Sequence, residues 1–587
     1  MLTPATEIIN QFQRQTLLNQ LSELLPTLQQ NALPAADLVE RLVRPESVTF
    51  AQILSIKPSV DFVAGLTPSA SSFNLATLHL LEKATRRPSD IEIVAGKGDV
   101  VRALVKLWLS TADTAVADKA HGLLVGLLCE EGFEHPEKVS IAQVNNQNIN
   151  DKLMWRRFFR DKSIYGSIFS LCSLQTVGQD GQPSKRYKTI AQSRLLELLL
   201  KIRNEPTRTS QIPEIESEYG VSDGGLLQYA TLHMIDYEDD ELLLELFIGF
   251  CSSFVKFGPT HDDPAETFAI NFMKQHELHE FCMSFFFKDD SSLFIELTSA
   301  DYLVSYCYAY PKDLLRDRQL CDKILNRITG MMPSFRIQPS HARVNCLNIL
   351  KYFPRAWLLA RRGGTPVFML AKIPNGRAYD VLGTIFSGGK GQLGRDDKAT
   401  ENQSESAAAR ALYFLNLEAN PGFWDQVLKA ADTIAITDTA LSAIQLIGRL
   451  LVAKWAPLPL EESPPGATYS LPTERWLAEK CNLGRPLPET GVEAIMDKNT
   501  ADNVIRWFMT RPVQFSNVGG GKGDIKNAAW RVAVAKYDVL VLFLKQLEQM
   551  DDSDRVDVLV EAIGTIVALG PQGGRKPDEA RVATMER

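Results

Sequence analysis

Apolar residues recur along this chain at the spacing of a buried helical stripe, in windows hundreds of residues apart. Thr111-Ala112-Asp113-Thr114 opens a run in which Ala120, Leu123, Leu124, Leu127 and Leu128 fall on one face. Thr437-Asp438-Thr439 opens another, with Ala443, Ile444, Ile447, Leu450 and Leu451 in the same relation. Steps of three and four bring side chains to one side of an α-helix. Each run also begins on hydroxyls or carboxylates able to accept the amide protons that a first turn leaves without partners. The windows 100–109 and 115–128 predict two helices across a brief Ser-Thr-Ala-Asp turn, a pair that cannot bury its own apolar face and must stack on neighbours. The pattern predicts an all-α fold, an armadillo/HEAT-like α-solenoid of stacked helical repeats.

The same periodicity predicts helices at 191–202, 241–257, 265–273, 301–310, 317–329 and 341–353, and later at 406–417, 475–480, 500–509, 528–549 and 555–568. Prolines at positions 26, 34, 45, 58 and 68 divide the first hundred residues into short helices. Residues 177–188 read as an exposed loop. The Gly-Lys-Gly-rich stretch 388–405 reads as a flexible insertion and 457–472 as a Pro-rich loop. The expected organisation is a helical solenoid over 1–387, the insertion 388–405, a C-terminal helical region over 406–570 that carries the Pro-rich loop, and a disordered tail at 571–587.

At 587 residues, the chain exceeds the size at which one core stops growing, so it is either several domains or a quasi-one-dimensional stack. A formal charge of −8 gives no overall attraction to a phosphate backbone and argues against direct nucleic-acid contact. The eight cysteines lie mostly in apolar runs without a CxxC pair, as expected of reduced core thiols in a reducing compartment. No membrane association is expected, because the most apolar stretch, 242–257, is interrupted by Glu245 and Lys256. These features together point to a cytoplasmic protein, with the nucleus as a second location.

Candidate chemistry dissolves under spacing rules. Gly96-Lys97-Gly98-Asp99 and Gly521-Lys522-Gly523-Asp524, with Gly389-Lys390-Gly391, lack the spaced glycines and the Ser or Thr after Lys that a phosphate loop needs. They read as helix stops and flexible turns, with Asp99 and Asp524 as N-caps for helices opening at Val100 and Ile525. In His276-Glu277-Leu278-His279-Glu280 the histidines stand three apart, where a zincin helix needs four. No catalytic centre, cofactor site or metal site is predicted.

Two basic, aromatic segments look like binding surface. Trp155-Arg156-Arg157-Phe158-Phe159-Arg160 interleaves the residue types enriched at interface hot spots, although its aromatics are equally suited to a core and its arginines to solvent. Lys185-Arg186-Tyr187-Lys188 reads as a solvated loop, or as a patch for a carboxylate-rich partner or for RNA stacked on Tyr187. The candidate partner-binding residues are Trp155, Arg156, Arg157, Arg160 and Arg194. The acidic run 236–241 precedes an apolar helix, where negative charge meets the positive end of the helix dipole.

Taken together, Trp155 to Gly166, Lys188-Thr189-Ile190-Ala191-Gln192-Ser193-Arg194-Leu195-Leu196, Gly519-Gly520-Gly521-Lys522-Gly523-Asp524 and the Ser110 to Ala120 segment resemble a known family. It is the filamentous-fungal branch of the base-assembly chaperones of the proteasome regulatory particle. The family includes the animal proteasome non-ATPase regulatory subunit five and a yeast protein first labelled a mismatch-repair factor. The resemblance implies an armadillo/HEAT solenoid that holds the C-terminal domain of one AAA+ ATPase subunit during assembly of the 19S base and acts by binding alone. The residues by themselves leave two alternatives open, a general armadillo-type interaction adaptor and a DNA mismatch-repair accessory factor.

Overall fold

The computed structural model describes residues 16–17, 19–20, 38–39, 41–43, 48–56, 59–129, 153–176, 184–202, 205–256, 268–337, 343–360, 365–388, 399–461, 471–483, 486–497, 500–510, 527–550 and 554–570. The tail 571–587, residues 389–398 of the expected insertion, 462–470 of the Pro-rich loop, 177–183 of the earlier loop and the repeat Gly521-Lys522-Gly523-Asp524 lie outside them. So do Gly519, Gly520, Gly389-Lys390-Gly391, and the prolines at 26, 34, 45 and 58.

Among the described residues the fold is all-α, with one isolated antiparallel bridge between Lys454 and Thr490 as its only β feature. The chain divides into two compact units, Met1–Phe254 and Val255–Arg587.

In the first unit the principal helices are α1 Ser71–Glu82, α2 Pro88–Gly96, α3 Gly98–Ser110, α4 Thr114–Leu128, α5 Leu153–Arg160, α6 Lys162–Cys172 and α7 Lys185–Lys201. They stack as layers: α1 packs on α4, α3 lies against α4, α6 and α7, and α2 lies against α5. The predicted stripe of α4 is the one that is buried, with Ala120, Leu123, Leu124, Leu127 and Leu128 all in the core. Each such leucine withdrawn from water contributes about 1.5–3 kcal/mol.

In the second unit the numbering continues with α8 Leu278–Phe287, α9 Leu293–Ala309, α10 Arg318–Ile337, α11 Asn348–Tyr352, α12 Gly376–Phe386, α13 Ala399–Ala419, α14 Thr437–Leu451, α15 Ala528–Leu547 and α16 Asp554–Ala568. Helices α9, α11, α12, α14 and α15 form a row in which each packs on the next. The span Ile434–Leu451, which includes α14, is apolar and long enough to cross a membrane. It lies between α12 and α15 with Ala443, Ile444, Ile447, Leu450 and Leu451 buried, the setting of a core helix.

Helix starts differ from the sequence expectation in four places. Asp113 does cap α4, accepting from Val116 N–H at 3.2 Å. Asp99 does not cap: α3 begins one residue earlier, at Gly98, and places Asp99 inside the first turn. Helix α14 has no side-chain cap, because the 3-10 turn Ile434–Ile436 leads directly into it. Helix α7 begins at Lys185, so Lys185-Arg186-Tyr187-Lys188 is helical rather than loop. Helix α13 begins at Ala399, inside the stretch read as an insertion. Glu405, in its second turn, accepts from Arg355 N–H at 2.8 Å and Ala356 N–H at 3.2 Å. A buried carboxylate needs such donors, and they tie that turn to the helix Arg355–Ala360.

Candidate functional site

An α-helix leaves its last four carbonyls without intrahelical donors, and in a layered stack many of those ends lie away from water. Three of the five residues singled out from the sequence meet that need. The Trp155 indole N–H donates at 2.8 Å to the carbonyl of Leu128, the last residue of α4, while its ring stacks on Phe159 at 5.1 Å. Trp155 is 4% exposed. Arg157 donates from Nε at 2.8 Å to the carbonyl of Ala95 near the end of α2, and from Nη1 at 2.8 Å to Asp161. Gly98 makes room for it, since a Cβ there would stand 3.2 Å from Arg157 Nη1. Arg194 donates at 2.6 Å to the carbonyl of Trp108 in the last turn of α3, where the Leu107 carbonyl is already taken by Thr111 N–H. Burial draws the Arg194 pKa below its ordinary value.

The other two, Arg156 and Arg160, are exposed one helical turn apart on α5 and make no hydrogen bond or ion pair among the described residues. The five therefore do not form one site. Three close helix ends inside the first unit, and two face solvent.

The same device uses residues that sequence reasoning placed in a loop or did not single out. Lys188 is fully buried and donates to the Ser170 and Ser173 carbonyls at the end of α6. Its loss of hydration lowers its pKa. Gln192 spans the carbonyls of Cys172 at 2.7 Å and Met234 at 2.6 Å. Glu216, fully buried, accepts from Tyr165 O–H and Gln211 N–H, each at 2.8 Å. In the second unit, Arg327 donates to Phe286 O at 3.1 Å, and Arg355 donates to Ile385 O and Thr384 O, each at 2.8 Å.

His276-Glu277-Leu278-His279-Glu280 is split by a break in the helix: Glu277 has φ 58°, and α8 begins only at Leu278. His279 is 2% exposed and 2.7 Å from the Tyr302 hydroxyl, and burial pulls its pKa down to about 4, so it is neutral near pH 7. None of the eight cysteines is joined to another in a disulfide, and six are buried.

What remains open to a partner in the first unit is a cleft of about 490 Å³. The turn Leu109 to Asp113 lines it together with Pro68, Ser71, Leu171, Tyr187 and Ala191. Its polar groups are largely spent on the turn itself. Ser110 Oγ donates to Lys106 O at 2.6 Å, Thr111 Oγ1 accepts from Asp113 N–H at 3.2 Å, and Asp113 caps α4. Tyr187 is 42% exposed, and its hydroxyl has no hydrogen-bond partner among the described residues. A largely apolar trough that offers the Tyr187 phenol and the Ser71 hydroxyl suits an apolar side chain of a protein partner that also presents a hydrogen-bonding group. The sequence had drawn attention to both the 111–113 turn and Tyr187, though not to their meeting.

Comparison with known proteins adds little. No family model matches the chain, and no curated protein matches it. Among solved structures, the crystal structure of SYS-1 aligns over 97% of this chain and 91% of its own, at 11% identity and a TM-score of 0.24. The SYS-1/POP-1 complex aligns over 97% and 91%, at 12% identity and a TM-score of 0.23. A likeness this slight carries no argument about partner or mechanism.

Proposed function

We propose that this chain is a non-catalytic protein-binding scaffold and, more specifically, an assembly chaperone that holds the C-terminal domain of a proteasomal AAA+ ATPase subunit during base assembly. The carrying observation is the cleft beside Tyr187, a largely apolar trough in which the Ser110 and Thr111 hydroxyls and the Asp113 carboxylate are engaged at helix ends. The ATPase identity rests on the sequence resemblance of the segments around Trp155, Lys188 and Gly519. A chaperone of this kind needs a folded surface that captures a partner and then releases it, with no bond made or broken. The cytoplasm, with the nucleus, is the compartment this reading requires.

The test is calorimetric titration of the purified chain with the C-terminal domain of each base ATPase subunit. One domain is expected to bind, and Tyr187→Ala or Leu171→Lys to weaken it about tenfold, which is about 1.4 kcal/mol. Arg156→Glu is expected to leave the melting temperature unchanged. Arg157→Glu should lower it, because the Ala95 carbonyl then loses its donor, at about 1–3 kcal/mol. Failure of every domain to bind removes the ATPase reading. Binding that ignores Tyr187 and Leu171 removes the cleft from it.

A further inference from the structure

In the second unit, the row α9, α11, α12, α14 carries a face that its internal packing does not explain. Asp380 of α12 is the hub. Lys351 of α11 is ion-paired with its Oδ2, Arg449 of α14 reaches Oδ1 at 2.8 Å, and Arg377 approaches Oδ2 at 3.6 Å. Burial alone would raise the Asp380 pKa, but Lys351 and Arg449 outweigh it and hold the carboxyl below its ordinary value, so it is ionised at pH 7. One carboxylate thus faces three cations.

The three are not equivalent. Lys351 is mostly covered, at 16% side-chain exposure. Arg449 spends Nη1 on Asp380 and on the Thr384 hydroxyl at 3.0 Å. Arg377 is 39% exposed, and the 3.6 Å approach is too long for a hydrogen bond, so among the described residues its guanidinium donors are unspent. Asp301 of α9 lies in the field of Arg377 and of Lys256. The nearest further acid on α14 is Asp438, in the first turn at the positive end of the helix dipole. Among the described residues of this group, Lys256, Lys351, Arg377 and Arg449 outnumber Asp301, Asp380 and Asp438 by one charge.

Tyr352 of α11 lies in the field of Asp380 and Arg449, which brings aromatic rings to this charged group. Tyr308 of α9 is 41% exposed and meets Tyr352 of α11 edge to face at 5.3 Å. Phe294, 66% exposed, stands on the same side of α9, since Phe294, Asp301 and Tyr308 follow one another at a spacing of seven. A planar fork with free donors is the side chain best suited to bidentate capture of a carboxylate, and an exposed ring beside it offers area for an apolar neighbour.

We infer that this face docks an acidic peptide segment of a partner protein, in which a Glu or Asp pairs with Arg377 while an adjacent apolar side chain covers Tyr308. It is built only from residues of the second unit and stands whether or not the ATPase reading holds.

The experiment is fluorescence anisotropy of the full chain with a labelled peptide that repeats Glu-Glu-Phe-Glu-Glu-Leu, read at low and at physiological salt. Binding should weaken with salt. It should fall about tenfold or more in Arg377→Glu and severalfold in Tyr308→Ser, and it should stay within about twofold in Lys429→Glu, which makes the same charge change on a different exposed helix. Arg377→Gln, which keeps a polar stem without the charge, guards against misfolding of the reversal and should show the same loss with an unchanged melting temperature. Absence of binding, equal losses in Arg377→Glu and Lys429→Glu, equal binding of the peptide with Lys in place of Glu, or equally effective competition by duplex DNA would each overturn the inference.

Discussion

Lys536 shows how a single buried charge opposes the fold that contains it. Its ammonium lies 4.1 Å over the Trp507 ring and 3.7 Å from Asp432, whose Oδ1 also accepts the Trp507 indole N–H at 2.8 Å. Desolvation is the largest influence and carries its pKa from 10.5 down to about 8, with Asp432 only partly restoring it. Because the folded value is the lower one, the unfolded chain binds more protons between about pH 8 and 10.5, and stability rises with pH across that window. The stabilisation relative to neutral pH is fully present above 10.5 and lost as pH falls through 8, an effect on the order of 3 kcal/mol. The urea midpoint of the wild type is therefore expected to gain on that of Lys536→Met from pH 7.5 to pH 10. Lys536→Met should be the more stable form at pH 7.5 and should remove the part of the pH dependence that is specific to this residue. A midpoint difference between wild type and Lys536→Met that does not change with pH would show that the amine is not desolvated.

At the scale of the element, the end of a helix matters as much as its stripe. Asp113 caps α4 through Val116 N–H, whereas Asp438 sits inside the first turn of α14 and caps nothing. Asp113→Ala should cost about 1 kcal/mol, and Asp438→Ala about half of that or less, as dipole compensation alone. Thermal melts of the two variants decide it, and equal losses would contradict the helix start at Thr437. The stripes themselves were readable from sequence because burial follows the 3.6-residue period, which is why the core of α4 and α14 agrees residue by residue with the expectation. The ends were less readable, since the partners that fix them are remote. Glu405 draws α13 back to Ala399 through amides of residues 355 and 356, and Lys188 enters α7 because carbonyls at 170 and 173 need a donor. The candidate site was obscured by the same physics. Trp and Arg suit an interface because they carry area together with directed donors, and those properties equally suit the closure of a neighbouring helix, so composition cannot separate Arg156 from Arg157.

For the molecule as a whole, stability is distributed along rows of neighbours rather than around one centre. Each unit has its own core, and along the row α9 to α15 each helix is supported chiefly by the ones beside it. Such stacks approximate a sum of local and nearest-neighbour contributions, and their cooperativity breaks down with length. Scanning calorimetry is expected to give a calorimetric enthalpy clearly larger than the van't Hoff enthalpy. A ratio of one would mean that the chain melts as a single unit.

Four of the helix-end bonds of the first unit share a direction, whereas the bond from Gln192 to the Met234 carbonyl runs the other way. Leu128 waits for Trp155, Ala95 for Arg157, Trp108 for Arg194 and Ser173 for Lys188, so in each case the donor lies further along the chain than the acceptor. A ribosome makes this protein in the same order. A nascent chain that has released α2, α3 and α4 but not yet residues 155–194 therefore lacks the side-chain donors of the Ala95, Trp108 and Leu128 carbonyls. In this half of the molecule the growing chain is fastened from behind, and the interval before Arg194 emerges is when it has the greatest need of help from the cell.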